Sequence, residues 1–160
     1  MCGKTIAEDH IKLQIDHKIP RNWGGLTELS NLWAICQRCN GGKRDYFATF
    51  DDTVMNEVMA YDSVHERLAH TLRIHLGSPT PSDLLEFVAN AKSRQDDWHK
   101  RLRELRYPVI GLKISVGKKK TERGMETTYT LRNWVDLPSN PTKVIREFER
   151  DRVRKHLKAR

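Results

Sequence analysis

Leu13 to Lys43 reads LQIDHKIPRNWGGLTELSNLWAICQRCNGGK, and the fold turns on how this stretch divides. Ile11, Leu13 and Ile15 alternate with Lys12, Gln14 and Asp16, the period of a half-buried strand. Pro20 and the cluster from Asn22 to Gly25 break that run and supply turn chemistry. Leu32-Trp33-Ala34-Ile35 is an apolar run suited to a returning strand. From Asn40 onward a helix is expected, with Asn40, Lys43 and Phe47 near one face. Strand, loop, strand and helix make a ββα unit. On a regular strand Asp16 and His17 face opposite ways. Both reach one phosphate only if the strand ends there, and Pro20 places that end close by.

The polar residues of the unit suit phosphodiester hydrolysis, which needs an activated water, a counter-charge for the transition state and a stabilised leaving oxygen. His17 is the candidate general base, because histidine titrates near neutrality. Asp16 and Asn40 offer hard oxygen ligands for Mg²⁺ or Mn²⁺, an ion that keeps several waters and needs few protein ligands. Asn31, at the entry to the second strand, is placed to pin the loop from Pro20 to Gly25 and so hold His17. Lys43 is a candidate for steadying or protonating the leaving oxygen. An isolated Asp-His pair is more often a surface turn or a satisfied histidine; joined in order to Asn31, Cys36, Cys39, Asn40 and Lys43, the balance reverses.

The order Asp-His, Asn, then Cys-x-x-Cys-Asn-x-x-Lys resembles the HNH nucleases of the ββα-metal group, over roughly the first third of the chain. The resemblance implies that His17 activates water, that Asp16 and Asn40 bind the divalent ion and that Asn31 is structural. Where many members carry His at the last position this chain has Asn40, which keeps an oxygen ligand. Many members also clamp a structural zinc between two Cys-x-x-Cys pairs. Cys36 and Cys39 match the second pair, and Cys2 matches the later cysteine of the first. The mate of Cys2 would precede Met1, so the expected zinc site is one ligand short unless His10 or water completes it. A redox role for Cys36 and Cys39 is disfavoured, because no thioredoxin-like βαβ pattern surrounds them.

With 160 residues the chain has room for one domain or two small ones. No apolar run approaches a membrane span and no signal peptide is visible, so a cytoplasmic location without membrane contact is expected. The net charge of +8 is uneven: residues 1–50 carry +2, residues 51–90 carry −5 and residues 91–160 carry +11. A basic C-terminal half behind an acidic spacer points to a polyanion partner.

That half reads as helices followed by a hairpin. Asp62-Ser63 can cap a helix carrying Val64, Leu68, Leu72 and Leu76 that stops at Gly77. Thr80-Pro81-Ser82-Asp83 can start a second, with Leu84, Leu85, Phe87, Val88 and Ala91. A third, Gln95 to Arg106, would bury Trp98, Leu102 and Leu105 and show His99, Lys100, Arg103 and Arg106. Strands are expected over Val109 to Ile114 and Thr127 to Leu131, joined by a long basic tip holding Lys118, Lys119, Lys120 and Arg123. The outline resembles the winged-helix modules found beside nuclease domains in some restriction enzymes. That likeness implies the third helix in the major groove and the lysine wing on phosphate. Pro141 opens a terminal helix with eight Lys and Arg, which could lie on the duplex backbone, pack across the hinge or fray.

The expected fold class is therefore α+β: an HNH ββα-metal zinc-knuckle domain over 1–50, a connecting helix over 51–62, a winged-helix domain over 63–135 and a basic helix over 136–160. The expected function is metal-dependent endonucleolytic cleavage of double-stranded DNA by a restriction-type enzyme selecting a sequence or base modification. A palindromic double-strand cut would require two active centres, hence a homodimer on DNA. The competing readings are a phage or mobile-element nuclease of the same chemistry and a non-catalytic DNA-binding regulator.

Overall fold

In the computed structural model, which describes residues 6–121 and 124–158, the chain divides into two units, Met1–Ala60 and Tyr61–Arg160. The first holds a short helix α1 (Ile6–Asp9), strands β1 (Leu13–His17) and β2 (Leu32–Cys36), and helices α2 (Gln37–Phe47) and α3 (Asp52–Ala60). β1 pairs antiparallel with β2, setting Gln14 opposite Ile35, Asp16 opposite Trp33 and His17 opposite Leu32. α2 follows β2 without a break, which completes the ββα unit.

The alternation in β1 is real, but its inward face is the polar one. Ile15 is 70% exposed and Leu13 38% exposed, while Ile35 is only 3% exposed. Opposed residues of an antiparallel pair share a face, so Gln14, Asp16, Trp33 and Ile35 lie together, and Asn40 and Lys43 of α2 bond to the first two. The apolar contact of the hairpin comes from β2, which frees the inward positions of β1 for polar side chains.

The β1–β2 connection is built around Trp23, fully buried in a 3₁₀ turn (Arg21–Trp23). Its indole N–H donates to Asp52 Oδ1 at 2.7 Å, and its ring meets Phe47 edge-on at 4.8 Å. Met55, Val58 and Met59 of α3 are buried in this unit. The helix expected as a connector over 51–62 is thus α3, part of the first unit, because the loop tryptophan needs its cover. Gly24 has φ +80°. A Cβ on Gly25 would fall 2.0 Å from the Ile19 carbonyl oxygen, so only glycine allows the loop to close this tightly.

The second unit runs α4 (Val64–Ile74), β3 (Thr80–Pro81), α5 (Ser82–Asn90), α6 (Trp98–Glu104), β4 (Lys113–Thr121), β5 (Gly124–Asn133) and α7 (Pro141–Lys158). Its antiparallel sheet has the order β3-β5-β4. Leu68, Leu72, Leu85, Trp98, Leu102, Leu105, Leu131 and Ile145 form its core. Leu76, expected inside, is 49% exposed because α4 ends at Ile74. The third helix is shorter than the Gln95–Arg106 expected: Asp97 caps it by accepting from the Lys100 N–H at 2.9 Å.

The hairpin also differs. Pro108 to Ile110 form a turn followed by Gly111 at φ +83°, the strand starts only at Lys113, and the ladder runs on to Thr121 opposite Gly124. The lysines expected on a loose tip lie within β4, with Lys118 opposite Thr127, Lys119 opposite Glu126 and Lys120 opposite Met125. β4 is an edge strand, where lysines guard against pairing with another chain. Among the described residues no helix is long and apolar enough to cross a membrane.

Candidate active site

The end of β1 and the first turns of α2 bring four polar side chains into two adjacent rungs. Asn40 and Lys43 are one helical turn apart, and Gln14 and Asp16 are two residues apart on one strand face. Asn40 Nδ2 donates to Gln14 Oε1 at 2.9 Å. Lys43 Nζ donates to Asp16 Oδ2 and to the backbone carbonyl of His17, bracing the helix against the strand end. The same ammonium lies 5.8 Å from the Trp33 ring centroid and 5.4 Å from that of Phe47. Partial burial works to raise the pKa of Asp16, but the Lys43 ammonium and the His17 backbone outweigh it and hold the carboxyl below its ordinary range. Asp16 is therefore a carboxylate at neutral pH.

His17 leaves the strand on the opposite face, where Nε2 stands 2.9 Å from Thr27 Oγ1. Thr27 was not apparent from the sequence, because nothing in its spacing marks it. Asn31 joins the ends of the loop: Oδ1 accepts from the Ile19 N–H at 2.9 Å, and Nδ2 donates to the carbonyls of Ile19 and Leu26 at 3.2 and 2.8 Å. The loop carrying Thr27 is thereby fixed to the chain that follows His17. Among the described residues the His17 backbone N–H meets the Asp16 carboxylate, but no side-chain hydrogen bond joins Asp16, His17 and Asn40 to one another.

The donor set can be tested against a hard divalent ion. Asn40 Oδ1 is buried and accepts no hydrogen bond, an unusual state for an amide oxygen. An ionised carboxylate with an unsatisfied amide oxygen one rung away is the oxygen chemistry that Mg²⁺ and Mn²⁺ prefer. The residues present fit such an ion. For zinc, Cys36 ends β2, Cys39 lies in the first turn of α2, and the Cys39 N–H points to Cys36 Sγ at 3.5 Å. Cys2 lies outside the described residues. Among those described, no group of three or more His, Cys, Asp or Glu side chains is arranged to hold a metal, so His10 does not complete a site with Cys36 and Cys39.

In the second unit His99, Arg103 and Arg106 are exposed on and just after α6, and Lys100 lies half-buried. Lys100 pairs with Glu104 at 3.7 Å and Arg103 with Asp97 at 3.7 Å. A cavity of about 200 Å³ separates this side of α6 from the hairpin, rimmed by His99, Arg103 and Arg106 and floored by Ile114, Val116 and Tyr129. Alternate residues of a strand share a face, so Lys118 and Lys120 continue the Ile114–Val116 side toward α6. Lys119 points the other way, with Glu126. Arg123 lies outside the described residues.

Sequence reasoning also missed a buried polar chain. His65 Nε2 lies 2.6 Å from Glu104 Oε2, His65 Nδ1 3.0 Å from Thr142 Oγ1, and Ser63 Oγ 3.2 Å from Thr142 Oγ1. Burial pushes the His65 pKa down, against the pull of Glu104. Burial would raise Glu104, but His65 and Arg101 hold it low. A neutral histidine beside a carboxylate must donate from Nε2, so Thr142 donates to Nδ1 and Ser63 to Thr142. The chain ties α4, α6 and α7 together, and a glutamate one position before a core leucine gave no sequence signal of it.

Residues 1–45 match the family model of HNH endonucleases. The match spans β1, β2 and most of α2, so the ββα unit is similar to HNH endonucleases, a family of nucleases that generally use divalent metal ions. It covers just over a quarter of the chain and leaves the second unit without a family. No curated protein and no solved structure matches the chain.

Proposed function

We propose that the chain is a Mg²⁺- or Mn²⁺-dependent DNA endonuclease of restriction type, cutting with the first unit and selecting its site with the second. The observation that carries the reading is the unsatisfied Asn40 oxygen beside the Lys43-braced carboxylate of Asp16, on the ββα frame matched by the HNH model. Asp16 and Asn40 would hold the ion, which when bound supplies Lewis-acid polarisation of the scissile phosphate. His17 takes the proton from the attacking water, with Thr27 setting its ring and Asn31 holding the loop that carries Thr27. Lys43 holds Asp16 in its ionised state; protonating the leaving oxygen would require it to release that carboxylate. Cys36, Cys39 and Cys2 are proposed to share a structural zinc.

The second unit is read as a winged helix. Its element order of helix, short strand, two helices and hairpin, with the sheet order β3-β5-β4, supports that reading. α6 would enter the major groove with His99, Lys100, Arg103 and Arg106, and Lys118 and Lys120 would reach phosphate from the wing. Cutting both strands of a palindrome would need two copies on the duplex.

The test is relaxation of supercoiled plasmid by wild type and His17→Ala with Mg²⁺ or Mn²⁺. Wild type should nick, and the variant should be slower by about 10²–10⁴-fold, the usual loss for a general base. Equal rates would remove His17 from the chemistry. Digesting modified and unmodified genomic DNA, then sequencing the fragment ends, tests the selection.

A further inference from the structure

α7 carries a second cationic surface, outside the α6–hairpin region assigned above. Lys143, Arg146, Arg150 and Arg154 recur at intervals of three and four residues, which puts them along one stripe of the helix. At 1.5 Å per residue the stripe is roughly 16 Å long. All four are exposed, and they line an open groove of about 1170 Å³ that is also lined by Asp62 and Ser63, the latter 3.2 Å from Thr142 at the start of α7. The opposite side of α7 is the packed one: Ile145 is 1% exposed, and Phe148 lies 5.2 Å from the Tyr107 ring.

Two acids share the groove, and both are engaged. Asp62 Oδ1 accepts from Lys92 Nζ at 2.6 Å, and Glu149 Oε1 from the Tyr107 hydroxyl at 3.2 Å. Arg154 lies 3.8 Å from Asp151, an exposed pair worth little. Exposed Glu147 flanks the stripe, four residues after Lys143, yet the four cations outnumber it and give this side of α7 a net positive charge. Three are arginines, whose planar fork matches phosphate oxygens. Among the described residues no aromatic side chain lines the groove, so they offer no platform for stacking unpaired bases. A sugar–phosphate backbone is the ligand this chemistry fits.

We infer that the α7 groove is a sequence-independent phosphate-binding site for duplex DNA, additional to α6 and the wing. The inference rests on the proposal that the chain acts on DNA. Each phosphate neutralised contributes about −0.9 to the slope of log K against log salt. Four contacts therefore give the groove a share of roughly 3–4 in that slope.

The experiment is fluorescence anisotropy of a labelled 30-base-pair duplex of arbitrary sequence (about three helical turns) with the 160-residue chain carrying His17→Ala, over a series of NaCl concentrations. It is repeated with Lys143→Gln, Arg146→Gln, Arg150→Gln and Arg154→Gln combined, and with lysine at all three arginine positions. Because these side chains are exposed, thermal melting should be unchanged. The glutamine variant should lose roughly 3 in slope, by equal amounts on unrelated duplexes, and the lysine variant should recover it. Retained slope and affinity in the glutamine variant would overturn the site while leaving the DNA reading intact. Failure of the parent chain to bind any duplex would overturn both. Competition by polyglutamate as effective per charge as unlabelled duplex would assign the groove to an acidic polypeptide and overturn the DNA assignment.

Discussion

Asp16 and Glu104 are both paired carboxylates held below their ordinary pKa, yet their surroundings differ in the way that separates chemistry from scaffolding. The Glu104 side chain is 0% exposed and is met by His65 at 2.6 Å and by Arg101 at 3.0 and 3.1 Å. Its accepting capacity is spent inside the second unit. The Asp16 side chain is 23% exposed, its carboxylate is met by Lys43 and the His17 backbone, and a buried amide oxygen with no donor lies one rung away. A saturated carboxylate can only hold helices together. A partly exposed one beside an unsatisfied amide oxygen can take an ion.

The sharpest way to break that contrast is to remove each carboxylate. Glu104→Ala should destabilise the second unit by about 1–3 kcal/mol, the usual cost of leaving a buried donor unsatisfied, read as a fall in urea midpoint. Asp16→Ala should leave the unfolding free energy from urea titration within about 1 kcal/mol of wild type, as expected for a partly exposed pair, and abolish plasmid nicking. If both variants unfolded alike, the distinction between the two sites would be lost.

The loop offers a second comparison. Trp23→Ala removes the buried centre of the first unit and should cost about 3–5 kcal/mol. Asn31→Ala removes three hydrogen bonds around a loop rather than a core, and should cost about 1–3 kcal/mol. It should slow cleavage without changing DNA affinity, because Asn31 acts through the Thr27 loop. A loss of affinity equal to the loss of rate would place Asn31 on the substrate instead.

Acidification gives the smallest effect. Burial lowers the pKa of His65, His70 and His75, so the unfolded chain takes up protons first. The stability these groups contribute is complete above about pH 6.5, the ordinary histidine value, and is lost as pH falls from there through their lowered folded values. Glu104 adds a loss in the same direction at lower pH. Urea midpoints should decline from pH 7.5 to 5.5; a rise would mean that His65 is charged in the folded state.

The legible parts of the sequence were those written in short, local grammar. Asp16, His17, Asn31, Cys36, Cys39, Asn40 and Lys43 carry their order in one stretch, and helical spacing marked Leu68, Leu72, Trp98, Leu102 and Leu105 as core. The inward face of β1 was misread because alternation gives a period but not a direction, and α2 covers the polar side. The lysines of the hairpin read as a loop because charge disfavours strands in general, though an edge strand tolerates it. Trp23, Glu104 and Thr142 were invisible as structural centres because their partners lie 29, 39 and 77 residues away, at Asp52, His65 and His65. Long-range polar pairing leaves no periodic trace.

The central claim is that Asp16 and Asn40 act on one divalent ion. Calorimetric titration of Mn²⁺ into wild type, Asp16→Ala and Asn40→Ala tests it most directly, without reliance on cleavage. One site per chain is expected in wild type, with affinity lost in Asp16→Ala and weakened at least tenfold, about 1.4 kcal/mol, in Asn40→Ala. Unchanged Mn²⁺ binding in both variants would contradict the site.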